Sequence, residues 1–178
     1  LTTASPSVEW FIRSGQAAAD SIRELLARNE VPIAEIGSML DFGCGCGRVV
    51  RQWANVPTKI HGCDYNTGLV NWCRRRLPFA RFETNGLAPP LPYADASFEL
   101  VYALSVFTHL PEPLQSRWVA ELARVLRPGG HLIISTHGAA YLDTLSDPER
   151  ARFHAGQLVV RDRDAAGSNR CGVFFSED

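Results

Sequence analysis

The chain has 178 residues, of which 46% are apolar and 21% are charged, and its formal net charge is −1. This length predicts one domain with a core large enough for a sheet covered by helices on both faces. The balanced charge points to neither a nucleic-acid partner nor an anionic membrane surface. No apolar run reaches the roughly 18–20 residues that span a bilayer, and no signal-peptide pattern is visible. We therefore expect a cytoplasmic location, whereas the sequence does not indicate an oligomeric state.

The cysteines show no pattern typical of a metal site. They lie at positions 44, 46, 63, 73 and 171 and form no Cys-x-x-Cys pair. Cys44 and Cys46 flank a glycine, where small side chains suit a close approach of the backbone. This pattern favours reduced thiols over disulfides or zinc, and no bound metal is expected. The basic run Arg74-Arg75-Arg76 is interpreted as the solvated face of a helix.

Helical and strand patterns alternate along the chain. Residues 7–28 are predicted to form a helix, because apolar residues such as Phe11 and Ile22 recur at helical spacing. Residues 39–42 form a short apolar run that stops at glycines, as a buried strand does. Further helices are predicted over 47–55 and 67–77 and from Pro111 onward, where Pro128-Gly129-Gly130 ends the last one. Further strands are predicted over 59–63, 80–82, 98–104 and 131–135.

This order of elements predicts an α/β fold, with a doubly wound, mostly parallel sheet and helices on both faces. We divide the single domain 1–178 into an N-terminal helical segment (1–30), a core (39–138) and a C-terminal segment (139–178). In the last segment, residues 139–155 suit a helix, and residues 157–161 and 172–175 suit short strands.

The loop after the first predicted strand is rich in glycine and reads Asp41-Phe42-Gly43-Cys44-Gly45-Cys46-Gly47-Arg48. Alternate glycines let the backbone contact a ligand, because no Cβ stands in the way. A helix beginning here would direct its unpaired N–H groups at an anionic group. Neither reading frame of the loop supplies the third glycine of a dinucleotide fingerprint, and the Gly-Lys-Ser/Thr of a P-loop is absent.

Two carboxylates flank this loop. Asp41 lies at the end of the first strand, where it suits an ammonium group and would disfavour a pyrophosphate. Asp64 ends the second strand, 17 residues after Gly47, close to the spacing of a carboxylate that accepts from ribose hydroxyls. A ligand that joins an amino acid to a ribonucleoside is S-adenosylmethionine (SAM) or its demethylated product.

At this point four motifs, in order, resemble the class I, Rossmann-like SAM-dependent methyltransferases. The resemblance covers roughly residues 10–138, and it implies SAM as the cofactor and methyl transfer to an unidentified small-molecule acceptor. One departure is Glu99, where the family usually has Asp. The motifs are the glycine loop at 39–47, the acidic Asp64, the segment Leu91–Val101 that leads into the fourth strand, and the turn Arg124–Gly130.

The resemblance also implies roles for single residues. The methionine end of SAM should be lined by Gly43, Cys44 and Gly45. Gly47 completes the motif to which these three residues belong. Asp64 should hold the ribose and Tyr65 should pack on the adenine. The remaining expected cofactor contacts are Asn85 and Gly86 beside the adenine amino group, and Ala103, Leu104 and Ser105 beside the sulfonium.

Methyl transfer needs a general base only if the nucleophile carries a proton that must leave. His109, just beyond the fourth strand, is the candidate catalytic residue, and His137 is a second titratable group nearby. Both also suit a purely structural role. Two other functions stay open, namely a non-catalytic SAM-binding domain and, less favoured, an NAD-dependent oxidoreductase. The family's C-terminal strand pair is expected to be missing or atypical here, and its true absence would favour the first of these functions.

Overall fold

The computed structural model describes residues 7–162, 164, 166–167 and 171–176. Within these residues no helix is long and apolar enough to cross a membrane. The helices are α1 (Val8–Arg28), α2 (Thr67–Arg76), α3 (Glu112–Val125) and α4 (Asp147–His154). The strands are β1 (Ser38–Phe42), β2 (Lys59–Asp64), β3 (Arg81–Thr84), β4 (Phe98–Ala103), β5 (Leu126–Ile134), β6 (Val159–Arg161) and β7 (Gly172–Phe174).

The predicted α/β fold is confirmed. Strands β1 to β5 form one sheet in the order β3-β2-β1-β4-β5, and every neighbouring pair runs parallel. Strand β1 is central and fully buried, as expected for a strand that is covered on both faces. Strand β1 pairs with β2 on one side and with β4 on the other, so the direction in which successive strands are added to the sheet changes at β1. The loops that follow the strands on its two sides therefore leave the sheet in opposite directions.

The two faces of the sheet carry separate cores. Alternate residues of a strand point to opposite faces, so Met39 packs against the cluster that includes Ile22 and Leu26 of α1. Its neighbour Leu40 packs against the cluster that includes Trp118 of α3. Two helical layers therefore enclose the sheet, as the sequence pattern predicts.

The predicted helix over residues 47–55 is wrong. The chain forms turns there, followed by a 3-10 helix at Val50–Trp53. Gly47 adopts a φ of +71°, which does not fit a right-handed helix. The Arg51 side chain donates to the carbonyls of Gly47 (3.1 Å) and Cys46 (3.4 Å). In an α-helix the Cys46 carbonyl would instead accept from the backbone of residue 50.

Strand β5 begins earlier than the sequence suggests. It starts at Leu126, directly after α3, so the Pro128-Gly129-Gly130 run lies inside the strand and does not separate it from the helix. The ladder between β4 and β5 shifts register between Phe98 and Leu100. A local bulge thus accommodates the proline, which cannot donate a ladder hydrogen bond.

Glu99, the departure from the family pattern, has a clear structural partner. Its carboxylate accepts a hydrogen bond of 2.5 Å from the Gly37 backbone and pairs with the guanidinium of Arg127. The longer side chain thereby fastens the start of β1 to the start of β5, across the edge of the sheet opposite the glycine loop.

The C-terminal segment is atypical rather than missing its strand pair. The single helix expected over 139–155 is interrupted, with a 3-10 helix at Ala139–Thr144 followed by α4. A capping box between Ser146 and Glu149 starts α4 anew. Strands β6 and β7 form their own antiparallel sheet, and Phe174 of β7 also forms an isolated bridge with His137, which follows β5.

Helix α1 is held against the glycine loop by a close backbone contact at Gly15. A Cβ on this residue would lie 2.3 Å from the Arg48 carbonyl oxygen. We predict that Gly15→Val destabilises the protein by about 1–3 kcal/mol, the usual cost of overpacking. Urea unfolding should show this loss, whereas Ala17→Val, on the exposed face of the same helix, should cost less than about 1 kcal/mol. Equal losses in both variants would contradict the close contact.

Candidate active site

A pocket lies at the carboxyl ends of the parallel strands, where open α/β sheets bind ligands. Its volume is ≈ 210 Å³. The wall consists of Phe42, Gly43, Asp64, Tyr65, Asn66, Leu69, Asn85, Gly86, Leu87, Ser105, Val106, His109, Leu110, Trp118 and Gly167.

The structure brings half of the predicted cofactor residues to this wall, together with the candidate base His109. They come from the loops after β1, β2, β3 and β4, which meet at one edge of the sheet. The wall residues among them are Gly43, Asp64, Tyr65, Asn85, Gly86 and Ser105. Those that do not line the pocket are Asp41, Cys44, Gly45, Gly47, Ala103 and Leu104.

The glycine loop differs from the expected cradle of free N–H groups. The amides of Gly43 and Cys44 both donate to the Cys63 carbonyl, at 2.8 and 2.9 Å. The Gly45 amide donates to the Asp64 carboxylate at 2.8 Å, and no α-helix follows to supply further donors. In this conformation the loop amides bind the protein itself.

The glycines of the loop serve different purposes. A Cβ on Gly47 would lie 2.4 Å from the Leu77 side chain, and a Cβ on Gly43 would lie 2.4 Å from that of Val106. Both glycines therefore permit close packing. Gly45 has open space within 4 Å of the Cβ position, but its φ is +53°, which favours glycine on backbone grounds alone.

Asp64 is buried and bound at both oxygens. One oxygen accepts from Gly45 and the other accepts from the Asn66 backbone, each at 2.8 Å. Each carboxylate oxygen has two acceptor positions, so these bonds leave capacity for a ligand hydroxyl. The two bonds also fix the orientation of the carboxylate, which would lower the entropic cost of binding.

Asn85 presents an unsatisfied acceptor to the pocket. Its side-chain nitrogen donates to the Gly86 carbonyl at 2.7 Å, whereas its Oδ1 is buried and has no partner among the described residues. Buried polar atoms are rarely left without a partner. An amino group on a bound base would satisfy this oxygen.

Asp41 lies beneath the pocket in a buried polar chain. The Trp53 indole donates to the Tyr102 hydroxyl at 2.9 Å, and this hydroxyl contacts the Asp41 carboxyl. Burial raises the pKa of Asp41 to about 7, against smaller lowering effects of Tyr102 and Arg48. The carboxyl therefore titrates near neutrality, and a cation that reached it would draw its pKa down.

Ser105 holds a strained backbone at the rim. Its φ is +57°, in the left-handed region that costs a non-glycine residue about 1–3 kcal/mol. Its amide donates to the Ser135 hydroxyl at 2.7 Å, which stabilises this conformation. The strain turns the chain sharply after β4, so that the following residues Val106, His109 and Leu110 face the pocket.

The two candidate bases occupy different positions. His109 lines the pocket, and its Nδ1 lies 2.7 Å from the Cys171 carbonyl oxygen. His137 is packed between Tyr141 and Phe174, at ring-centroid distances of 4.1 and 5.2 Å. Burial, and to a lesser degree His109, lowers the pKa of His137. Only His109 among the two can reach a ligand in the pocket.

The C-terminal segment covers part of the pocket through Gly167. Its amide donates to the His109 carbonyl at 2.7 Å, and its carbonyl accepts from the Tyr65 hydroxyl at 2.9 Å. A Cβ on Gly167 would lie 2.6 Å from the Leu87 side chain, so this glycine lies directly on the wall. The sequence contains no signal for this contact, which joins residues 102 positions apart.

Sequence reasoning also missed part of the apolar wall. Trp118 lies on the buried face of α3, in the core cluster on one side of the sheet, and it also lines the pocket. Its indole donates to the Leu87 carbonyl at 3.1 Å, and its ring lies 4.6 Å from that of Phe42. Helical periodicity identifies a buried face but does not show that this face reaches a pocket.

Residues 40–134 match the family described as "Methyltransferase domain", which is more than half of the chain, and the chain belongs to this family. A probable S-adenosylmethionine-dependent methyltransferase of Mycolicibacterium smegmatis is 34% identical over 120 residues, 67% of this chain and 46% of the relative. Trans-aconitate 2-methyltransferase of Variovorax paradoxus is 37% identical over 114 residues, 63% of this chain and 42% of the relative. The chain thus spans about half the length of these curated relatives.

Solved structures agree on the fold. A SAM-dependent methyltransferase from Methanosarcina mazei matches with a TM-score of 0.63 and 23% identity, covering 85% of this chain and 78% of the other. Magnesium protoporphyrin IX methyltransferase from Synechocystis, solved with S-adenosylhomocysteine (SAH) bound, matches with a TM-score of 0.60 and 23% identity, covering 81% and 66%. The Rossmann-like fold and the SAM-dependent family are confirmed, and the family is not that of NAD-dependent oxidoreductases.

The buried Asp41 should make stability depend on pH. Its pKa of about 7 exceeds the value of about 3.9 in an unfolded chain, so the folded state binds the proton more tightly. Protonation of Asp41 adds about 4 kcal/mol to the free energy of unfolding below about pH 4. This stabilisation is lost as the pH rises to about 7. Urea unfolding between pH 5 and 8 should show this decline in wild type, and Asp41→Asn should remove most of it. An unchanged pH slope in the variant would contradict the assignment.

Proposed function

We propose that this domain transfers a methyl group from SAM to a small-molecule acceptor. The observation that carries the proposal is the convergence, in one pocket, of the fixed carboxylate of Asp64 and the unsatisfied Oδ1 of Asn85. The first suits ribose hydroxyls and the second suits the amine of adenine. Their placement after the neighbouring strands β2 and β3 matches the two ends of an adenosine.

The pocket wall fits the rest of the ligand as well. Gly43 and Ser105 follow the central strands β1 and β4, at the end of the pocket that the methionine part would occupy. Asp41, beneath this end, is the nearest buried carboxyl for the ammonium group, and its raised pKa means that binding an ammonium would be coupled to loss of a proton. SAM supplies an activated methyl group with its own leaving group, so positioning provides much of the catalysis.

His109 is the residue we propose as general base. A carbonyl oxygen can only accept a hydrogen bond, so Nδ1 must carry the proton in its contact with Cys171. In the neutral ring the lone pair then lies on Nε2, which is the state that a base requires. The Cys171 carbonyl, just before β7, thereby fixes the tautomer of a residue on the pocket wall.

A test of the ribose contact uses Asp64→Asn. The amide retains one acceptor oxygen but loses the charge, and we expect SAH to bind about 1.5–3 kcal/mol more weakly, the range for hydrogen bonds to a charged group. Calorimetry measures this directly. Glu83→Gln is the matched control, because Glu83 is an exposed carboxylate at the end of the neighbouring strand and should leave the affinity unchanged. If folded Asp64→Asn binds SAH with wild-type affinity, Asp64 holds only the Gly45 and Asn66 amides and does not bind the ribose.

The same calorimetry, applied to wild type, tests the choice of ligand. SAM and SAH should bind, and NAD should give no signal at the same concentration. Micromolar binding of NAD without binding of SAM would overturn the proposal. Binding of SAM without turnover across a broad panel of acceptors would instead support the non-catalytic alternative.

A separate test concerns His109→Gln. If His109 removes a proton from the acceptor, single-turnover methyl transfer should slow by about 10²–10⁴-fold, while SAH affinity stays close to wild type. His137→Gln is the control, because His137 lies outside the pocket wall. A wild-type rate and pH profile in His109→Gln would remove the residue from the mechanism.

A further inference from the structure

Two thiols lie together behind the glycine loop and have no part in the proposed reaction. Cys44 belongs to the loop after β1, and Cys73 belongs to α2; both are buried. Their sulfur atoms are 3.7 and 3.4 Å from the same acceptor, the carbonyl oxygen of Gly45. Sharing this acceptor brings the two thiols close enough to influence each other's protonation.

The surroundings of this pair favour chemistry at Cys73. The neighbouring Cys44 thiol lowers the pKa of Cys73, and the Arg51 guanidinium also lowers it, against the opposing effects of burial and of the Asp41 and Asp64 carboxylates. The same pairing raises the pKa of Cys44. Of the two, Cys73 therefore loses its proton more readily, and the thiolate is the form that attacks an oxidant.

A surface groove lies beside the pair. It reaches Cys46 and Trp72, the neighbours of Gly45 and Cys73 in sequence. Arg51 also lines this groove, so an oxidant that approaches the buried thiols from this side meets an electropositive surface.

We propose that Cys44 and Cys73 are a redox-sensitive pair, which a hydroperoxide converts to a disulfide, and that this bond weakens SAM binding. The Cys73 thiolate attacks the outer peroxide oxygen, the O–O bond breaks, and the departing oxygen leaves as an alcohol or water after taking up a proton. The Cys44 sulfur then attacks the resulting sulfenic acid, an S–S bond forms, and water leaves. Two thiols are oxidised, and one peroxide is reduced.

The disulfide would act on the pocket through Gly45. Oxidation removes both S–H donors from the Gly45 carbonyl, and it ties the loop covalently to α2. The amide of Gly45 holds the Asp64 carboxylate at 2.8 Å, so a displaced loop releases the group that we assign to the ribose. This second half of the proposal rests on the proposed function, whereas formation of the disulfide does not.

The experiment treats the full chain with hydrogen peroxide. Peptide mapping under non-reducing conditions should find a Cys44–Cys73 cross-link, and SAH affinity by calorimetry should fall by about tenfold or more, which is about 1.4 kcal/mol. Dithiothreitol should reverse both changes. Absence of the cross-link, or a Cys46–Cys73 cross-link in its place, would overturn the assignment of the pair. A cross-link with unchanged affinity would overturn the coupling to the pocket.

Two variants complete the test. Cys73→Ser keeps a hydroxyl donor near the Gly45 carbonyl but cannot form the disulfide, so it should bind SAH normally and resist peroxide. Cys46→Ser, which alters a neighbouring thiol outside the pair, should keep the sensitivity of wild type. Continued sensitivity in Cys73→Ser would overturn the proposal. The peptide map of wild type needs no ligand, so it remains decisive if SAM binding itself fails or if a variant does not fold.

Discussion

The central position of β1 is the constraint on which the rest of the structure depends. This strand pairs in parallel with β2 on one side and with β4 on the other, so the chain must cross over in opposite senses on its two sides. The loops after these strands diverge at that point and leave a crevice between them. Asp64, Asn85 and Ser105 each follow a different strand, and they meet in one pocket because parallel strands present their carboxyl ends at the same edge. Burial of β1 on both faces then holds this edge rigid.

A chain of buried polar side chains lies under the crevice and connects the core to the proposed binding site. Trp53, Tyr102 and Asp41 form a buried chain that ends beneath the glycine loop, and burial holds the Asp41 carboxyl partly protonated near neutrality. An ionised carboxylate without a partner is costly in such surroundings, which gives the site a preference for a ligand that brings a positive charge. Stability of the empty domain and affinity for a cationic ligand are therefore opposing demands on one residue, as is common where a binding group is buried.

The C-terminal segment shapes the opposite rim of the pocket. The Cys171 carbonyl orients the His109 ring, and Gly167 connects Tyr65 to the backbone of His109. These contacts place Gly167 and the His109 ring on the pocket wall. The strand pair β6-β7 is thus a separate small sheet that acts on the site at its rim, rather than an extension of the main sheet.

The sequence by itself determined the α/β fold and the five strands of its parallel sheet, with their carboxyl ends correct to within two residues, because these follow from local periodicity and from motifs read along the chain. It also identified seven of the fifteen residues on the pocket wall, including Asp64 and Asn85, through positions at strand ends. Only the tertiary structure decided that turns and a 3-10 helix follow β1 in place of an α-helix, and that the loop amides bind Cys63 and Asp64. The Gly167 and Cys171 contacts, likewise, join residues more than 55 positions apart, and no local pattern encodes them. Such features depend on which backbone groups find partners once the chain is folded.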